Sequence, residues 1–163
     1  MPAPDRSRRL RCTHPFPIMS YPLLLLLHLF AAIMFVGTVF FEVIMLEGVR
    51  KHVSRDVMSS MESAIGRRAR QVMPWVLLIL FGAGLGLSWF HKGALADPAA
   101  TRFGLLLTLK IVLAFSVLGH FITAMVLHRR GRLNSIASRR IHLSVFTHVV
   151  AIVLLAKLMF YAS

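Results

Sequence analysis

Cysteine is almost absent from this chain of 163 residues: Cys12 is the only one. That excludes a disulfide within the chain and any cysteine-based zinc site. Acidic side chains are scarce too, with six Asp and Glu against 19 Lys and Arg. Charged residues of both signs make up 15% of the sequence, where a soluble domain usually carries about 25%. Apolar residues fill the difference, at 57%, with a mean hydropathy of +0.73. Such a composition excludes a disordered chain, which would be poor in apolar residues. It reads as an integral membrane protein, and the length suits one small bundle rather than two domains.

The formal net charge of +13 would suit a nucleic-acid partner if it were gathered on one domain. Here the basic residues lie between apolar runs. They read instead as topology signals and contacts to anionic lipid headgroups, with no nucleic acid as partner.

Four apolar runs, 21–46, 72–90, 103–127 and 142–161, each approach the roughly 20 residues that a helix needs to cross a bilayer. Strands with open edges are excluded in lipid, because their backbone groups would go unpaired. The expected fold is therefore all-α, a transmembrane four-helix bundle over residues 21–163. Pro22 and Pro74 are placed at helix starts, where a missing N–H costs nothing. Tyr21, Trp75, Trp89 and Tyr161 fall near the ends of the runs, as an interfacial aromatic belt would.

The connections predict the topology. Residues 47–71 carry Arg50, Lys51, Arg55, Arg67, Arg68 and Arg70, and residues 128–141 carry Arg129, Arg130, Arg132, Arg139 and Arg140. Residues 91–102 carry only Lys92 and Arg102. The positive-inside rule places the two basic connections in the cytoplasm of a bacterial plasma membrane, with both termini outside. Residues 1–20 form a tail whose Arg6, Arg8, Arg9 and Arg11 oppose that orientation. The abrupt change of composition at Met19 makes Met19 the expected start of translation, with an upstream extension before it. Export of the tail despite its charge is one alternative. A cleaved signal peptide is the other, but the first run is long and lacks a small-residue cleavage site.

Within 47–71, Val49, Val53, Val57, Met61 and Ile65 recur every four residues, an apolar stripe that predicts an amphipathic helix lying on the membrane surface. Met58 and Met61 pair soft thioethers that suit copper(I), although methionines on such a stripe usually pack.

Ionisable residues inside a spanning helix are costly and mark function by default. The spans hold His28 and Glu42, then Lys110 and His120, then His148 and Lys157; the second offers Gly82, Gly84 and Gly86 instead. At about 1.5 Å per residue, two layers emerge. His28, Lys110 and Lys157 lie in the outer half. His120 and His148 lie in the inner half, with Glu42 at the inner end. Helical phase puts His28, Phe35 and Glu42 on one face, Ser116 near the face of His120, and Ser144, Leu155 and Met159 on that of His148. Lys157 falls opposite His148 and is expected to snorkel outward. His52, His91, His128 and His142 are expected at or beyond the interface, solvated or facing lipid.

Two histidines at one depth on neighbouring helices fit the axial ligands of a b-type haem. They equally fit a bare metal ion held by His28, His120 or His148, or an interhelical hydrogen bond. The three glycines allow either a flat macrocycle or close helix packing.

The segment Leu27-His28-Leu29-Phe30-Ala31-Ala32-Ile33-Met34-Phe35-Val36-Gly37 resembles the first helix of CopD-like membrane proteins. Arg67-Arg68-Ala69-Arg70 before the glycine-rich span and Leu109-Lys110-Ile111 in the third are similar as well. The layout also resembles the related HemJ-type protoporphyrinogen oxidases. There, a first-helix His and a third-helix Lys are functional and haem b is bound; the matching positions are His28 and Lys110. Where that group carries a Pro-Arg pair, this chain reads Phe41-Glu42-Val43. The resemblance implies a haem-b membrane protein that passes electrons, to or from quinone. With the depth pairing, the expected cofactor-binding residues are His120 and His148 as axial ligands, His28 as a second ligand site or proton-handling group, and Lys110 pairing a propionate or substrate carboxylate. The alternatives it leaves are a copper transport or resistance protein and a structural subunit of a larger membrane complex. A homo-oligomer or complex is expected in each case.

Overall fold

The computed structural model describes residues 20–132 and 135–161. The tail with Cys12 and His14, and the question of Met19 as a start, lie outside the described residues. Among those residues there is no strand. The order is α1 (Ser20–Phe40), a π-helical stretch (Phe41–Leu46), α2 (Glu47–Val49), α3 (Arg55–Phe90), α4 (Lys92–Ala96), a 3₁₀ turn (Pro98–Ala100), α5 (Arg102–Arg129) and α6 (Ser135–Tyr161). Four stretches are long and apolar enough to cross a membrane: Ser20–Val49, Arg55–Phe90, Arg102–Arg129 and Ser138–Met159. The protein is an all-α four-helix bundle of multi-pass membrane character.

The packing is that of a chain dissolved in lipid. Large apolar side chains point outward: Phe30 is 66% exposed and Leu78 64%. The core is built from Ala31, Phe35, Val39, Val76, Leu77, Val117, Val145 and Val149. Lipid gives helices no hydrophobic reason to associate, so van der Waals packing of these side chains, five of them valines, holds the interface. α1 lies against α3 and α5 against α6, two antiparallel pairs that meet through α1 with α6. Phe81 of α3 and Phe115 of α5 also approach, with ring centroids 5.8 Å apart.

The two ends of the bundle differ. At the aromatic end, Tyr21 meets Phe90 edge-on at 5.3 Å and His91 stacks near Phe103 at 5.3 Å. The Lys92 ammonium sits 5.5 Å from the Trp89 ring, and that of Lys157 5.5 Å from Tyr161. Lys157 is exposed and reaches toward the end of its helix, as its phase predicted. Thr101 caps α5 by accepting from the Gly104 N–H at 3.0 Å. Gly104 must lack a side chain, because a Cβ would fall 2.7 Å from the Ala94 carbonyl oxygen. At the opposite, basic end, α5 closes with Gly131 at φ +64. The Gly131 N–H donates to His128 at 3.0 Å and the Arg132 N–H to Leu127 at 2.9 Å, a Schellman motif.

Two elements depart from expectation. Helix α3 begins at Arg55, runs 36 residues and spans about 54 Å, well beyond the roughly 30 Å of hydrocarbon. The amphipathic extension expected to lie on the membrane surface is instead continuous with the second span from Arg55 onward. Its buried position is Met58, while Val57 is 50% exposed. An exact four-residue repeat drifts around a helix of 3.6 residues per turn, so the contact line takes Met58, Met61 and Ile65 instead. Pro22 lies in the first turn of α1 as expected. Pro74 does not start a helix but sits inside α3, leaving the Arg70 carbonyl without its usual i+4 N–H donor.

Candidate functional site

The intramembrane polar groups gather at separate places. At the first, His28 of α1 turns toward α3. Its Nδ1–H donates to the Leu80 carbonyl oxygen at 2.9 Å. Gly84 makes this contact possible, since a Cβ there would lie 3.1 Å from His28 Cε1 and 3.2 Å from Nδ1. Gly86 likewise receives Leu24, whose methyl would be 3.0 Å from an added Cβ, whereas Gly82 faces open space. The glycine repeat therefore serves close helix packing at two of its three positions. A carbonyl can only accept, so the proton is on Nδ1 and Nε2 keeps its lone pair. Lys110 of α5 is half-buried. Among the described residues the Lys110 ammonium has no ion pair.

At the second place, α5 and α6 carry the same four-residue device in antiparallel sense. His120 Nδ1–H donates to the Ser116 carbonyl at 2.8 Å, and His148 Nδ1–H to the Ser144 carbonyl at 2.7 Å. Each remaining nitrogen accepts from the other helix: Ser144 Oγ donates to His120 Nε2 at 3.0 Å, and Ser116 Oγ to His148 Nε2 at 3.2 Å. The rings lie 5.4 Å apart at 51°. The depth estimate brought the right histidines together. Their bonding is that of the interhelical alternative, because all four ring nitrogens are already engaged. Ser116 and Ser144 are the partners that helical phase alone did not identify as such. The repeated Ser-x-x-x-His spacing is the signal that carries them.

At the basic end, the π-helical stretch sets Glu42 against α6. Glu42 pairs with His142 at 3.4 Å, not with His120 or His148. His142 is exposed, as expected of a residue at the interface, and it faces Glu42 there. Glu47 pairs with Arg50 at 3.2 Å and Arg139 at 3.0 Å, and Arg50 also pairs with Glu62. These groups surround the mouth of a cavity of about 700 Å³ whose deeper wall is apolar. Wide-turn segments of this kind recur at functional sites.

Among the described residues no three His, Cys, Asp or Glu side chains converge on one point. His28 is held against α3, and His120 and His148 form a separate locus between α5 and α6. Met58 is 4% exposed, a packing position on α3. No protein-family model matches the chain, and neither a curated protein nor a solved structure is significantly similar to it.

Proposed function

We propose that the protein is a redox protein of the bacterial plasma membrane that holds b-type haem through His28. The observation that supports this is the state of the His28 ring. Its Nδ1–H is fixed by the Leu80 carbonyl, which orients the ring, sets the tautomer and leaves Nε2 free to bind. His120 and His148 do not fit the axial role in their present bonding, since each Nε2 holds a serine hydroxyl. Their part is to fasten α5 to α6 behind the site.

Haem bound there would supply one-electron chemistry, tuned by its axial nitrogen and surroundings. The chain does the rest. His28 would provide the ligand nitrogen, and the carbonyl behind it would raise that nitrogen's basicity. Lys110 offers an unpaired cation to a propionate or to the carboxylate of a substrate. The leucine-rich exterior keeps water out and lets a membrane quinone exchange electrons from the bilayer. The same exposed surface would carry a second copy or the other subunits of a complex. The eleven basic residues of the two basic connections orient that end toward the cytoplasm.

A reduced-minus-oxidised visible spectrum of detergent-purified protein tests the reading. The α-band of b-type haem is expected in the wild type, lost in His28→Ala and retained in His120→Ala and His148→Ala. A featureless wild-type spectrum from folded protein made in haem-replete cells overturns it.

A further inference from the structure

The cavity at the basic end lies apart from His28, and none of the preceding roles uses it. Its volume of about 700 Å³ falls in the range of small-molecule sites, about 300–1,000 Å³. Its walls are graded. Phe35, Val117 and Phe121 make the deep part apolar, while Glu42, Arg50 and Arg139 stand at the mouth.

One guanidinium at the mouth has no ion pair among the described residues. Each of the mouth's carboxylates has another partner: Glu47 pairs with Arg50 and Arg139, Glu62 with Arg50, and Glu42 faces the His142 ring at 3.4 Å. Arg70 also lines the cavity and is half-buried, yet no carboxylate of the described residues pairs with it. Its guanidinium folds back along α3 beside Gly66, where an added Cβ would meet Nη1 at 3.1 Å. A half-buried guanidinium with no counter-ion, set next to an apolar chamber, is the arrangement that an anionic headgroup with an apolar tail completes.

We propose that this cavity binds a single-tailed anionic amphiphile, a long-chain carboxylate or lysophosphatidate, with its headgroup on Arg70 and its tail against Phe35, Val117 and Phe121. Both headgroups, a planar carboxylate and a tetrahedral phosphate, can present two oxygens to the paired N–H donors of a guanidinium. The site is independent of haem at His28, because it lies at the other end of the helices and uses none of the same residues.

The test is native mass spectrometry of the detergent-released full chain, titrated separately with oleate, lysophosphatidate and oleyl alcohol. A one-to-one complex is expected with one or both anions and at least tenfold weaker binding of the alcohol. Stronger binding of oleate or of lysophosphatidate identifies which source the site takes. Arg70→Gln should weaken anion binding about ten- to a hundredfold, the equivalent of losing a charged hydrogen bond. Ala69→Phe, which adds bulk to the wall instead of removing a contact, should abolish it. Arg129→Gln, exposed and outside the lining, should change nothing. Gel filtration of each variant separates loss of binding from loss of fold. Equal binding of the alcohol and the anions, or full binding in monodisperse Arg70→Gln and Ala69→Phe, overturns the proposal.

Discussion

The three glycines at 82, 84 and 86 have identical chemistry and different duties, and a methyl group distinguishes them. At Gly84 an added Cβ meets the His28 ring at 3.1 Å, so Gly84→Ala should push the ring off the Leu80 carbonyl. The expected loss is about 1–2 kcal/mol of stability together with a shifted or missing haem band. Gly82 faces open space, so Gly82→Ala should be neutral or up to about 1 kcal/mol stabilising, from helix propensity alone. Thermal melts in detergent, read beside the spectrum, check both. Equal effects of the two substitutions would show that the notch at Gly84 is not what holds His28. The Ser–His clamp makes a second prediction. Ser116→Ala and Ser144→Ala should each cost about 0.6–1.7 kcal/mol, the range of interhelical hydrogen bonds in membranes. A double-mutant cycle should return a coupling energy of about 0.5 kcal/mol or more, because the two bonds belong to one network, ending on rings 5.4 Å apart. The histidines were legible in the sequence because charge and polarity inside a lipid-spanning run are conspicuous. Their partners were less so, since a serine or a backbone carbonyl carries no signal until a neighbouring helix presents it.

At the scale of the helices, what lipid dictates was readable and what packing dictates was not. Each span must be continuous and apolar, so four runs in the sequence become four helices. The start of α3 escaped the same logic, because outside the bilayer nothing requires apolarity. The helix continues for 17 residues before Val72, joined at its flank by the Arg50–Glu62 pair. The π-helical stretch from Phe41 to Leu46 likewise answers to partners on α6, with Glu42 drawn to His142, and no local pattern announces it. Pro74 reads as a start signal because prolines favour first turns, but a spanning helix tolerates one inside when neighbours satisfy the freed carbonyl. The end of α5 is a sharper case of local chemistry deciding an element. Gly131 adopts φ +64 and closes two hydrogen bonds that a residue with a Cβ would close under strain. Gly131→Ala should therefore cost about 1–2 kcal/mol, seen as a lower melting temperature with unchanged helix content. An unchanged melt would mean that the α5–α6 turn relaxes without loss.

For the whole molecule, the two ends of the bundle are unlike, and the difference predicts a direction in the membrane. One end carries Tyr21, Trp89, Phe90 and Tyr161, residues suited to the headgroup boundary. The other carries Arg50, Arg70, Arg139 and the carboxylates that offset some of them. Those ion pairs do not cancel the topology signal, because acidic residues contribute little to it. The basic end should therefore be cytoplasmic, and the 3₁₀ turn between α4 and α5 should face the opposite side. Cysteine labelling with a membrane-impermeant maleimide decides this in intact cells, in a Cys12→Ser background. Asp97→Cys should react before lysis, and Arg132→Cys only after it. The reverse pattern would place the Arg70 cavity on the outer side and His28 toward the cytoplasm. It would also mean that the four arginines before Met19, rather than the eleven basic residues of the connections, set the orientation.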